Sequence, residues 1–459
     1  MKLFTLTCLL CFVLFGFGCQ VAPRDITQGQ SPNILFILSD DQRYDTMSSM
    51  PILRALMAEG TTFSRAYVTT PLCCPSRSSI LSGQYAHNHG VLGNRAPYGF
   101  PAFDDSETIA TRLQDAGYRT GLIGKYLNDY NSQDAQYLPP GWSTFVAFLD
   151  KPGYERFRLT SFWDGNYQGI KNINANDRLY STDYLTDQAL AFLRESSANP
   201  NQPFFLFFAP FAPHDPATPP DRYASESAPY VTSLSYNEVD VSDKSSYGNA
   251  LPLLTTTQEH TVARLQQGVH GSLRALDENI GRLLEELQQS GALENTIIFY
   301  LSDNGVHWGE HRIVQDKTTP YEEAVHVPFF IYDGRNPQVK TDNRLVLNID
   351  IAPTILQLVG LDGSDQIDGR SLLDDDQWRE VFLTEGYGGT DITPFVSVHS
   401  AQYVYVRFDN GEEELYDLVN DPYQLHSVDA DPLYTAALHE LKEALTRLEK
   451  CSGVGCRNI

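Results

Sequence analysis

Four short apolar runs punctuate the first two thirds of the chain: Asn33–Ser39 (NILFILS), Thr120–Gly124 (TGLIG), Phe204–Ala209 (FFLFFA) and Thr296–Ser302 (TIIFYLS). Runs without polar alternation suit strands buried on both faces, as in parallel sheets. Helical patterns lie between them. The clearest spaces Val262, Leu265, Val269, Leu273, Leu276, Ile280, Leu283 and Leu287 by three or four residues, which predicts one long amphipathic helix. Strands alternating with helices predict an α/β sheet with helices on both faces. Beyond about Gly363 the period changes to two. Phe395–Phe408 and Glu414–Leu418 alternate around Asn410-Gly411, a hairpin dipeptide, and roughly Leu433–Lys450 reads as a closing helix. The expected organisation is a large domain over 31–362 and a small C-terminal α+β subdomain over 363–459 with an antiparallel sheet. Asp215–Pro252, rich in Pro, Ser, Tyr and Asp and without clear periodicity, reads as a long surface loop.

The N-terminus changes the picture of where the protein works. Met1-Lys2 precedes an apolar run from Leu3 to Gly18, too short for a membrane span, which reads as an export signal over residues 1–19. Cys19 follows Gly16-Phe17-Gly18, so lipidation of Cys19 stands beside plain signal cleavage. The expected location is outside the cytoplasm: periplasmic, held as an outer-membrane lipoprotein, or secreted. Of seven cysteines, Cys8 and Cys11 leave with the signal. Cys451 and Cys456 bracket a short loop that suits a disulfide in an exported protein. Cys73 and Cys74 remain.

A net charge of −25 argues against nucleic acid as a partner and reads as a solvated acidic surface. Any pocket for an anion must therefore be locally basic. The strand ends supply candidates. The first run ends in Asp40-Asp41, the second in Lys125, the third leads to Pro213-His214, and the fourth ends in Asp303-Asn304. Ligands bind at the carboxyl ends of strands in open α/β sheets. One such pair alone would be an ordinary turn or cap, but four polar strand ends suggest one site.

Cys73-Cys74-Pro75-Ser76-Arg77 is followed by Ser78-Ser79-Ile80-Leu81-Ser82-Gly83. Pro75 suits a first helical turn and Gly83 a helix stop, so Cys73 is expected just before a helix N-terminus, where backbone N–H groups favour an anion. Arg77 would lie one turn in, offering a planar fork to anion oxygens. Two adjacent cysteines do not share a tetrahedral metal easily, and the Cys-x-x-Cys of a disulfide enzyme is absent.

Cys-x-Pro-Ser-Arg with a glycine six residues later resembles the type I, formylglycine-dependent sulfatase signature. The resemblance extends over Leu72–Leu81, His87-Asn88-His89, Gly124–Asn128, Ala212-Pro213-His214, Ser302–Gly305, Asp316-Lys317 and the Cys451/Cys456 ending. It is nearest to the N-acetylglucosamine-6-sulfatase branch. It implies an alkaline-phosphatase-like α/β sandwich, with a large mainly parallel sheet flanked by helices. It implies that a formylglycine-generating enzyme converts Cys73 to formylglycine, whose hydrate attacks sulfur. Asp40, Asp41, residue 73, Asp303 and Asn304 would hold one Ca²⁺, their oxygens suiting a hard cation. Arg77, Lys125 and Lys317 would balance charge on the sulfate oxygens, and His214 would protonate the departing oxygen. The substrate implied is a sulfated carbohydrate, carrying the 6-O-sulfate of N-acetylglucosamine or a related sugar.

One departure matters. Most sulfatases carry a histidine two residues after the site lysine; here that position is Leu127, a change the N-acetylglucosamine-6-sulfatase branch shares. The base acting on the diol is left open among His89, His307 and His311. Two other readings stay beside the sulfatase: a phosphodiesterase or phosphonate monoester hydrolase of the same superfamily, and a non-catalytic glycan-binding relative.

Overall fold

The four apolar runs form four strands that lie side by side. In the computed structural model, which describes residues 31–130, 134–228, 232–374, 378–388 and 392–459, they belong to one ten-stranded sheet. The segment read as an export signal, with Cys19, lies outside the described residues. The strands in chain order are β1 (Asn33–Ser39), β2 (Thr61–Phe63), β3 (Ala66–Tyr67), β4 (Arg119–Gly124), β5 (Thr144–Leu149), β6 (Phe157–Trp163), β7 (Asn166–Ile173), β8 (Phe204–Ala209), β9 (Thr296–Ser302), β10 (Phe329–Asp333), β11 (Lys340–Asp342) and β12 (Val346–Leu347). The sheet order is β11-β2-β10-β9-β1-β8-β4-β5-β6-β7, and β3 pairs with β12 separately.

At the centre β9, β1, β8, β4 and β5 run parallel. Ile34 aligns with Phe205 on one side and Ile297 on the other. The run of apolar residues follows from burial on both faces. Ile34, Phe36 and Leu38 enter one core with Phe205, Phe207 and Phe299, while Leu35 and Ile37 enter the other with Leu206, Phe208 and Tyr300. Each fully buried side chain of this size contributes about 1.5–3 kcal/mol. The helix Thr256–Gln289 spans 34 residues, and all eight positions expected on its apolar stripe are buried. It covers the second core together with the helix Ser181–Ser197. The helices Cys73–Ser82, Ile109–Asp115 and Ile351–Leu358 cover the first.

The flanks differ from the centre. β10 turns antiparallel against β9, and β6 and β7 return antiparallel beyond β5. The C-terminal region forms a four-stranded antiparallel sheet, β13 (Val381–Gly386), β14 (Phe395–Ser400), β15 (Tyr403–Phe408) and β16 (Glu413–Asp417), in chain order. The alternating run Phe395–Phe408 is two strands, because the chain turns at Ala401-Gln402, where Ser400 Oγ accepts the Gln402 and Tyr403 amides at 3.2 and 2.8 Å. Asn410-Gly411 joins β15 to β16, with Gly411 at φ 88°. The helix Thr435–Leu448 packs on this sheet, and its Leu441 and Leu445 share an apolar core with Phe382, Val398 and Tyr405. Cys451 and Cys456 are disulfide-bonded. No helix among the described residues is long and apolar enough to cross a membrane.

Candidate functional site

The carboxyl ends of β1, β4, β8 and β9 bring their polar residues to one place. After β1 the chain delivers Asp40 and Asp41, with Asp41 in the left-handed region at φ 61°, a conformation seldom adopted outside glycine, Asn and Asp. After β9, Asp303 takes up its position. Its Oδ1 accepts the Asp41 amide at 3.0 Å and its Oδ2 accepts Arg77 Nε at 2.8 Å. Asn304 Nδ2 donates to Asp41 Oδ1 at 2.7 Å. Gly124 ends β4 at φ 128°, and Lys125 follows with its amide on the Ala209 carbonyl at 2.7 Å. Its Nζ contacts both Asp40 oxygens at 2.8 and 2.7 Å.

Cys73 is the first residue of the helix Cys73–Ser82 rather than the residue before it, and Gly83 closes that helix at φ 74°. The Cys74 amide is capped from another loop, by Asn94 Oδ1 at 2.9 Å. Arg77, 1% exposed, reaches Asp303, the Lys125 carbonyl at 2.8 Å and Asp40 at 3.6 Å. Lys317 Nζ bonds Asp41 and lies 2.9 Å from Cys73 Sγ. Asp40, Asp41, Cys73 and His214 place one ligand atom each within 4.8 Å of one another. His214 Nε2 faces Asp41 Oδ2 at 3.4 Å, and its Nδ1 donates to the Asp215 carbonyl at 2.7 Å. Phe211 stacks under its ring at 4.7 Å, and Tyr154 Oη donates to its carbonyl at 2.7 Å.

Charge pairing dominates the electrostatics. Burial alone would raise the Asp40 carboxyl, but Lys125, His214 and Arg77 hold it below its usual range. Asp41 is likewise held down, chiefly by Lys317, against burial. Burial opposes the charge on His214, yet Asp41 and Asp40 raise it to about 9. The Cys74 thiol is pushed up to about 12, chiefly by burial. Three carboxylates face Arg77, Lys125 and Lys317, so a divalent cation would leave the centre positive.

All nine expected site residues meet here. The three histidines considered as the base do not join the cluster by any described contact. His89 has Nε2 on Ser79 Oγ at 3.0 Å and Nδ1 on the Val91 amide at 3.1 Å. His307 bonds Thr319 Oγ1 at 2.7 Å and His311 bonds Glu238 at 2.7 Å. Asn94, Tyr154 and the pair Asp215–Gln315, at 2.7 Å, escaped sequence reading, because single loop residues carry no spacing signal.

Sheet and flanking helices define an alkaline-phosphatase-like α/β sandwich with a charged centre at the carboxyl edge of the sheet. A sequence model of the sulfatase family matches residues 32–361, and one described as N-sulphoglucosamine sulphohydrolase, C-terminal, matches 309–451. The chain belongs to the sulfatase family. The N-acetylglucosamine-6-sulfatase of Homo sapiens is 32% identical over 514 aligned positions, covering 98% of this chain and 90% of the human protein. The extracellular sulfatase SULF-1 homolog of Drosophila melanogaster is 35% identical over 78% of this chain, which spans only 33% of that protein; the Caenorhabditis elegans relative is spanned to 52%. Among solved structures, one in complex with its substrate D-glucosamine-2-N,6-O-disulfate superposes with a TM-score of 0.75 at 24% identity, covering 92% of this chain and 98% of that one, a likeness of fold. A phosphonate monoester hydrolase from Silicibacter pomeroyi gives 0.71 at 25% identity, covering 91% and 94%.

Proposed function

We propose that the protein is a sulfuric ester hydrolase that removes sulfate from a sulfated glycan, with the 6-O-sulfate of N-acetylglucosamine or a related sugar as substrate. The observation that carries this reading is the setting of residue 73, at a helix start, 2.9 Å from Lys317 Nζ and clustered with Asp40, Asp41 and His214. A divalent cation fits the centre on one further observation: Asn304 Oδ1 is buried without a hydrogen-bond partner beside three carboxylates. Such an orphaned oxygen costs about 1–3 kcal/mol unless something meets it. Asp40, Asp41, residue 73, Asp303 and Asn304 would hold one Ca²⁺, which would supply Lewis-acid polarisation to a sulfate oxygen and to the diol. Cys73, once oxidised to formylglycine by its generating enzyme, supplies a hydrated aldehyde as nucleophile.

The remaining steps belong to the chain's own side chains. Arg77 Nη2 is buried and makes no hydrogen bond, with Asp40 Oδ1 3.6 Å away as an ion-pair partner, so it has a donor to offer a sulfate oxygen. Lys125 and Lys317 offset charge as the S–O bond breaks. His214, its Nδ1 spent on the Asp215 carbonyl, presents Nε2 to donate a proton to the leaving sugar oxygen. The apolar N-terminal run supports export, with Cys19 as the position for a lipid anchor.

The likeness to the phosphonate monoester hydrolase favours a second reading, hydrolysis of phosphonate or phosphate esters on the same site. Sulfate release from a panel of sulfated sugars, measured beside matched phosphate and phosphonate monoesters, tests both. We expect kcat/KM for a sulfated sugar to exceed that for the phosphorus esters by at least about a hundredfold, or about 2.7 kcal/mol. A preference for phosphonate would replace the sulfatase reading.

A further inference from the structure

The floor of the site is built from charged groups that recognise a sulfate, which every sulfate ester shares. Recognition of the alcohol must come from elsewhere. It must also lie on the side of His214, where the leaving oxygen departs.

Two loops carry His214 and Lys317 to Asp41, and among the hydrogen bonds that join them one lies at the exposed rim beside His214: Gln315 Nε2 donates to Asp215 Oδ1 at 2.7 Å. Both members are firmly mounted. Asp215 follows His214 and lends it a carbonyl, while Tyr154 fixes the His214 carbonyl from below. Gln315 sits in the left-handed region at φ 59°, its amide on the His307 carbonyl at 3.0 Å, two residues before Lys317. Among the described residues nothing bonds Asp215 Oδ2 or the Gln315 amide oxygen. The pair therefore offers a carboxylate and an amide, fixed in place and half used, to whatever group is attached to the sulfate.

We propose that Asp215 and Gln315 read the hydroxyl groups of a pyranose whose sulfate ester lies at residue 73, and that they set a preference for sugar sulfates over aryl sulfates. Sugar hydroxyls donate to the carboxylate and to the amide oxygen, and the second amide hydrogen donates back. An aryl sulfate without hydroxyls leaves these groups to water. Polar groups of this kind discriminate strongly only when the substrate satisfies them, the logic by which a hydroxyl-binding site rejects its deoxy analogue. The inference rests on the sulfatase reading above.

The test compares kcat/KM for N-acetylglucosamine 6-sulfate and for nitrophenyl sulfate in wild type, Asp215→Ala and Gln315→Asn. Asparagine tolerates the left-handed backbone but is one methylene too short to bridge the loops. We expect the sugar-to-aryl ratio to fall about tenfold or more in Asp215→Ala, mainly through KM, and by a smaller factor in Gln315→Asn. A ratio within about twofold of wild type in both variants would reduce the pair to a tie between loops and overturn the inference alone. A wild type that releases sulfate from neither ester would instead overturn the sulfatase reading, and this inference with it.

Discussion

At the scale of single residues, the two neighbouring cysteines separate chemistry from packing. Cys73 Sγ has a lysine and two carboxylates around it, whereas Cys74 is fully buried in an apolar core with its thiol 3.7 Å from the Asn128 carbonyl. Cys73→Ala should abolish turnover and leave the unfolding midpoint nearly unchanged. Cys74→Ala should keep turnover and lose about 1 kcal/mol of stability. Parallel assays of sulfate release and urea unfolding check both, and full activity in Cys73→Ala would remove residue 73 as the nucleophile. Asp303→Ala should cost about 3–5 kcal/mol, because it strips the buried Arg77 of its nearest carboxylate. It should also lose the rise in midpoint that we expect calcium to give the wild type; an equal rise in the variant would show the ion to be held elsewhere. Asp40, Asp41, Lys125, His214, Asp303 and Asn304 were legible in the sequence because each sits within a few residues of the end of an apolar run, and parallel strands present those ends to one edge. Tyr154 was not, because it acts through a carbonyl belonging to residue 214, a relation no linear spacing encodes. Tyr154→Phe keeps the ring stacked on Tyr180 and against Phe211, and removes the bond to the His214 carbonyl. It should slow sugar sulfates several-fold more than aryl sulfates, and the difference should vanish in a His214→Ala background.

At the scale of elements, the closest approach in the sheet is at the end of β4. A Cβ on Gly124 would stand 1.9 Å from the Ala209 carbonyl oxygen of β8, and its φ of 128° disfavours any other residue. Gly124→Ala should therefore cost more than about 3 kcal/mol and displace Lys125, whose amide uses the same carbonyl. Denaturant titration together with turnover at low temperature reads both effects, and a variant of wild-type stability would contradict the register described. The central strands β1, β8 and β9 matched their apolar runs residue for residue, since burial on both faces leaves no polar position to blur the ends. The flanking strands were hidden for the opposite reason. β7 (NYQGIKNI) exposes most of its positions and contains Gly169, so hydrophobicity carries no period there. β13 was missed although buried, a six-residue run too short to distinguish from a helix fragment.

At the scale of the whole molecule, acid should weaken the fold through histidines held neutral. Burial lowers His89 to about 3 and His399 to about 4, and drives His307 well below its ordinary 6.5. Between pH 6.5 and about 4 the unfolded chain binds protons that these groups refuse, so their stability, full above 6.5, is lost as pH falls. His87 has the opposite sign: Glu385 raises it against burial, and its contribution fades as pH climbs through the folded value. Comparing wild type with His399→Gln at fixed calcium isolates one proton. The slope of unfolding free energy between pH 6.5 and 5 should differ by about 1 kcal/mol per pH unit, and identical slopes would place a charged His399 in the core. The order of the sheet has a temporal consequence. β1 completes its pairing only with β9, more than 250 positions further along, so Asp41 has no Asp303 to bind until most of the chain has emerged. Such distant closure makes folding slow, and β1 must keep one apolar edge unpaired until β9 arrives. A fragment that ends before β9 lacks Asp303 and Asn304, and yield on refolding should fall steeply with protein concentration, as newly diluted chains meet each other before they meet their own far strands.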